Sequence, residues 1–132
     1  PCERNTDEST VKLMLLLLEN ICIAFVALLH IGFLILEMVL WNKPIGRKIF
    51  GTKKEFAEMS ATLAANQGLY NGFLAAGLIW SFISTAFSYE LRMFFLSCVI
   101  FAGVYGAISV NRKILWVQAM PATVALLVVV FN

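Results

Sequence analysis

Six residues of this chain carry side chains able to do chemistry in places where they are expensive: Glu37, Asn66, Gln67, Asn71, Tyr105 and Gln118. Each interrupts an apolar run, and ionisable or amide groups at membrane depth normally face a protein interior or a water-filled cavity. Their depths agree. With Trp41 as an inner boundary, Glu37 lies about 6 Å in and His30 about 16 Å in, from the helical rise. Entered from the same side, the second run presents Asn66, Gln67, Tyr70 and Asn71, the third places Tyr105 near its inner end, and the fourth offers Gln118. At about 100° per residue, His30 and Glu37 stand within about 20° of each other, with Glu19 on the same stripe. The expectation is one polar pocket lined by those six residues, open toward the cytoplasmic leaflet and taking a small-molecule ligand. Amides in spans also serve as interhelical ties worth about 0.6 kcal/mol each, and that plainer role competes with the pocket. A carboxylate is a costly tie, which favours the pocket, although Glu37 has an alternative in pairing with Lys43 or Arg47 at the interface.

No cofactor or metal is expected. His30 has no second His or Cys at ligand spacing, so a hydrogen-bonded interior role is expected of it. Cys2, Cys22 and Cys98 form no CxxC, which argues against a thiol oxidoreductase. No P-loop, GxSxG, HExxH or dinucleotide fingerprint is present, and neither half of the chain repeats the other.

The elements that must hold these groups are four apolar runs, 13–41, 61–87, 93–110 and 114–131. A bilayer core of about 30 Å takes roughly 20 apolar helical residues, and each run reaches or nearly reaches that length. Hydrophobic residues make up 61% of the chain and charged ones 14%. A soluble domain of 132 residues could not hide so much apolar surface. Backbone groups in lipid must be paired internally, and runs without alternating polarity are helices. The fold class expected is therefore all-α: a polytopic membrane protein forming an antiparallel four-helix transmembrane bundle, residues 13–132, behind a polar extracytoplasmic tail, residues 1–12.

Basic residues set the orientation, because they stay preferentially in the cytoplasm. Lys43, Arg47, Lys48, Lys53, Lys54, Arg112 and Lys113 lie on one side, against Arg4, Lys12 and Arg92 on the other. This places loops one and three in the cytoplasm, and both termini with a short 88–92 turn outside the cell (inner) membrane. The net charge of +2 follows from that bias, and no nucleic-acid partner is expected. No cleavable signal peptide is visible, and the missing initiator Met predicts a trimmed or partial chain.

The first run exceeds what a bilayer needs, so it tilts, or residues 13–18 project and pack on something else. After it, Pro44 and Gly46 are expected to break the helix, Thr52 and Glu55 to form a capping box, and Ile45, Ile49 and Phe50 to rest in the headgroup layer. Ala64, Gly68, Gly72 and Ala76 recur every four residues in the second run, and Ala102, Gly103, Gly106 and Ala107 enrich the third. Small residues let backbones approach, so spans two and three are expected to pack on each other, with a homodimer seam as the alternative. Pro121 cannot donate a backbone bond, which frees a carbonyl near Val117, beside Gln118.

Several strings resemble a known family: ILEMVLW (35–41), GRKIFG (46–51), EFA (55–57), LAANQGLYNGFLAAG (63–77), YG (105–106) and RKILWVQAMPA (112–122). Over residues 27–128 the chain is similar to the small bacterial and fungal integral membrane proteins called domain of unknown function 1304. The resemblance implies a four-helix membrane protein and supplies no activity. Residues 1–10 and the long leucine run depart from the family's usual pattern.

Three functions compete. The first is binding or transport of a small molecule in the polar layer. The second is a membrane enzyme on a lipophilic substrate, with Glu37 as general acid or base, although no nucleophile and base pair is evident. The third is an accessory subunit that packs on a larger membrane complex through the extended leucine helix or the glycine faces.

Overall fold

The structure is a computed structural model that describes the backbone of residues 2–132 and side chains from residue 8 onward. The side chains of Cys2 and Arg4, assigned to the outside above, lie outside the described residues. The chain is all-α, 87% helical, with five helices and no strand among the described residues.

α1, Cys2–Met38, is a single helix of 37 residues. Residues 2–12, expected as a polar tail, lie within this helix, and neither Pro nor Gly interrupts the chain between residue 2 and Gly32. A short helix follows where a break was expected: α2, Pro44–Phe50, starts on proline, which has no N–H to lose in a first turn. It ends at Gly51, whose φ of 66° and ψ of 28° place it in the left-handed region that glycine enters without strain. α2 folds back tightly, and a Cβ on Gly46 would collide with the carbonyl oxygen of Leu40. Backbone cannot swing aside as a side chain does. Gly46→Ala is therefore expected to lower stability by roughly 1–3 kcal/mol or more, read as a fall in the thermal midpoint in detergent. Gly32→Ala, which faces open space, is the control that should change little. Trp41 fixes this turn from the other side, donating from Nε1 to Ser60 Oγ at 3.0 Å and meeting the Phe50 ring at a tilt of 49° with ring centres 4.8 Å apart.

α3, Lys54–Ile83, is capped by Lys53 with no side-chain bond, so the expected capping box at Thr52 does not form. Thr52 stands one residue before the cap position and its Oγ1 is buried without a partner. α4, Ser88–Ser109, begins with the segment expected as an outer turn; the chain reverses at 84–87 instead, where Ser84 Oγ accepts from the Phe87 N–H at 3.1 Å. The last run divides into a π-helical turn, Leu115–Ala119, and α5, Met120–Phe131. Pro121 accounts for that: with no N–H for the Val117 carbonyl, the backbone opens, and the Met120 N–H donates to Leu115 O.

α1 packs against α3 and α5, and α4 packs against the same two helices. Between them lies a core of Ile23, Val26, Ala27, Leu78, Leu96, Val99, Ala122, Ala125 and Val129. The glycines face partners other than those expected. Gly68 and Gly72 meet Met38, Glu37 and Leu34 of α1, whereas Gly103 and Gly106 meet Ala119 and Ile114. The second and third runs touch where Gly77 of α3 lies under the Phe95 ring of α4.

Two helices, Glu8–Met38 and Ser88–Ser109, are long and apolar enough to cross a membrane, and Leu115–Phe131 is a shorter apolar stretch. α3 carries no charged residue from 59 to 83, but Asn66, Gln67 and Asn71 dilute its hydropathy.

Candidate functional site

Polar groups of α1 sit on its buried stripe at three levels. Glu19, His30 and Glu37 are 6%, 0% and 6% exposed, while Leu13, Leu17, Leu28 and many other apolar residues lie at the surface.

At the α2 end, the Glu37 carboxylate accepts from two side chains of α3. Gln67 Nε2 donates to Oε1 at 2.8 Å and Asn71 Nδ2 donates to Oε2 at 2.7 Å. Gly68 makes this possible: it lies between the two amides in sequence, and its missing Cβ would stand 3.0 Å from Glu37 Cβ and 2.8 Å from Met38 Cγ. Helices approach this closely only over a residue without a side chain. Asn71 is buried, and Gln67 is exposed at the edge of the cluster. The alternative partners do not engage Glu37. Among the described residues the ion pairs are Lys54–Glu58 and Arg92–Glu19, so no Lys or Arg stands within 4.0 Å of Glu37.

In the middle level, His30 Nδ1 lies 2.8 Å from the carbonyl oxygen of Val26. A carbonyl only accepts, so Nδ1 carries a proton, and in the neutral ring Nε2 presents a lone pair. Gln118 Nε2 points at that lone pair from 3.5 Å, a long contact. The π-helical turn places Gln118 there rather than beside Glu37.

The structure thus gathers Glu37, Gln67 and Asn71, sets Gln118 against His30, and leaves Asn66 and Tyr105 apart. Asn66 is exposed, one residue and therefore about 100° around the helix from Gln67. Tyr105 is 73% exposed on α4. The six residues do not surround one shared hollow.

At the third level, Glu19 was expected on the stripe but its partners were not. Arg92 at the start of α4 pairs with Glu19 of α1 through Nη1, and its Nη2 donates to Asn20 Oδ1 at 3.1 Å. Asn132, just beyond α5, donates to the other Glu19 oxygen. The Arg92 guanidinium also lies 5.5 Å from the ring centre of Phe82, so α3 takes part. Opposite charges at a common outer depth were the available signal. Among the described residues no three His, Cys, Asp or Glu side chains stand together as a metal-binding set.

The chain is 32% identical over 104 residues to an uncharacterized protein, YpaA, of Lactococcus lactis subsp. lactis (strain IL1403), a match covering 77% of this chain and 87% of that protein. No solved structure matches. The DUF1304 family, described as proteins of unknown function, matches residues 24–130, a stretch that takes in Glu37, Gln67, Asn71, His30 and Gln118. On the extent of that match, this chain belongs to the DUF1304 family of proteins of unknown function.

Proposed function

We propose that this protein is an antiparallel four-helix transmembrane bundle of the cell (inner) membrane, with both termini outside, and that Glu37 in its cytoplasmic half binds a small lipophilic cation. One observation carries the ligand reading: a buried carboxylate held by two neutral amides, with no basic residue within 4.0 Å among the described residues. When the carboxyl is ionised, the amide donors steady it but leave its charge uncompensated, and an uncompensated buried charge is costly, so the ionised form calls for a cation. A cation that sheds water easily supplies the missing charge, and the exposed Gln67 edge is its way in from the lipid. Transport of the same ligand needs a second route of access, which a dimer would provide by symmetry.

The four-span reading draws on the inverted distribution of side chains, polar on the buried stripe of α1 and apolar outside, together with the excess of basic residues in loops one and three. In a cysteine-free background, an impermeant maleimide should label Thr85→Cys in intact cells and Lys53→Cys only after permeabilisation. The opposite pattern would reverse the orientation.

Titration of the purified protein in detergent with tetraphenylphosphonium, and with neutral triphenylphosphine oxide as its match, tests the ligand. Only the cation should bind, and Glu37→Gln, in which the Asn71 amide can turn over to keep both hydrogen bonds, should weaken it at least tenfold, about 1.4 kcal/mol, while the fold is retained. Equal binding by parent and Glu37→Gln, or loss of folding in both Glu37→Gln and Asn71→Ala, would leave the cluster a structural tie.

The accessory-subunit reading is favoured by residues 13–18 of α1, where Leu13, Met14 and Leu17 are 68%, 65% and 59% exposed. Purification in mild detergent should then bring a stoichiometric membrane partner, whereas a lone monodisperse species counts against it.

A further inference from the structure

A second site lies on the opposite side of the molecule from the α1–α3 seam, where α4 hands over to the π-helical turn. An open groove of about 430 Å³ runs there, lined by Val104, Ala107 and Ile108 of α4, by Leu115 and Trp116 of the π-turn, and by Arg112 between them. That size falls within the roughly 300–1,000 Å³ of small-ligand sites. The small Ala107 leaves the space beside it unfilled. The reversal itself is fixed: Asn111 Oδ1 accepts from the Lys113 N–H at 2.9 Å and Asn111 O accepts from the Ile114 N–H at 3.0 Å, which sets Arg112 at the mouth.

The groove has two chemically distinct ends. Its walls are apolar and outward-facing, with Ile108 82% and Trp116 64% exposed. Its mouth carries an exposed Arg112 that enters no ion pair among the described residues. A planar guanidinium suits a phosphodiester, tryptophan favours the membrane interface, and the walls suit a hydrocarbon chain.

We propose that this groove binds one anionic phospholipid of the cytoplasmic leaflet, its phosphate on Arg112 and an acyl chain along Val104, Ile108 and Trp116. Charge selects this occupant over a neutral lipid. The inference rests on the membrane orientation given above but not on the cation at Glu37.

Native mass spectrometry of the protein released from bilayers of phosphatidylglycerol and phosphatidylcholine reads the site directly. The parent should retain phosphatidylglycerol in preference. Arg112→Gln should reduce that preference about fivefold, the worth of one basic residue near an anionic surface. Ala107→Trp fills the groove without changing charge and should abolish retention of both lipids; Arg112→Gln, in an exposed turn, carries the test if that variant misfolds. An Arg112→Gln protein with the parent's preference overturns the proposal. So does a parent dimer that retains no lipid and that Ala107→Trp splits, because the groove would then be covered by a second copy. Tetraphenylphosphonium titration of the same samples separates the two sites. A parent protein that shows no lipid preference but binds the cation removes the groove alone, and one that prefers phosphatidylglycerol but does not bind the cation removes the Glu37 reading alone.

Discussion

Arg92→Ala is expected to cost about 3–5 kcal/mol of folding stability, because it takes one partner from a buried ion pair and leaves the other charged in apolar surroundings. The side chains of Arg92 and Glu19 are only 12% and 8% exposed. The same substitution frees Asn20 and uncovers Phe82, so contacts with α1 and α3 fail together. Surface ion pairs rarely reach 1 kcal/mol, and the exposed Lys54–Glu58 pair, with side chains 65% and 57% exposed, provides the internal comparison. Lys54→Ala should shift the thermal midpoint little. The double variant Glu19→Gln with Arg92→Met should recover much of the loss, since a neutral pair leaves no orphaned charge. Denaturant unfolding in detergent followed by tryptophan fluorescence gives all three values. A cost under about 1 kcal/mol for Arg92→Ala would show that water reaches this level freely.

Gly68→Val carries the second large effect and joins stability to the site. A Cβ at this position already meets Met38 Cγ at 2.8 Å, Glu37 Cβ at 3.0 Å and Met38 N at 3.1 Å. The Met38 side chain can yield, but the α1 backbone cannot, so two further methyl groups must push α1 from α3. Overpacking of this kind costs roughly 1–3 kcal/mol. Separation also stretches the bonds from Gln67 and Asn71 to Glu37, and hydrogen bonds to a charged group contribute about 1.5–3 kcal/mol each. The expected outcome is a marked fall in the thermal midpoint together with loss of tetraphenylphosphonium binding. Gly72→Ala is the milder neighbour: its Cβ would meet only the Leu34 side chain, at 3.3 Å, and a leucine tip can rotate away. Equal effects at the two glycines would mean that helix propensity, rather than the close approach at Glu37, governs the seam.

The positions that defied expectation share a cause. The four-residue spacing of Gly68 and Gly72 showed that a close approach existed, yet any neighbouring helix could have made it; α1 does, because Glu37 and the two amides meet there. Gln118 lies in the same depth range as Asn71 when counted along a regular helix, but Pro121 opens the backbone into a π-turn and the amide meets His30. Asn66 and Tyr105 satisfy every depth argument and fail on azimuth, which depth does not constrain. Glu19 was visible on the polar stripe, but its pairing with Arg92 and Asn132 spans 73 and 113 residues of chain.

Run length and apolar content were sufficient to require helices, since nothing else satisfies the backbone of such stretches without alternating polarity. The stripe of Glu19, His30 and Glu37 along α1 was equally legible, because helical periodicity is a property of one segment. Partner choice was not: it depends on which backbones approach closely enough to bury a glycine, and on where a proline turns the last helix, and both are set between segments distant in the chain. That is why the carboxylate and its two amides came together while the other three candidates were sent elsewhere.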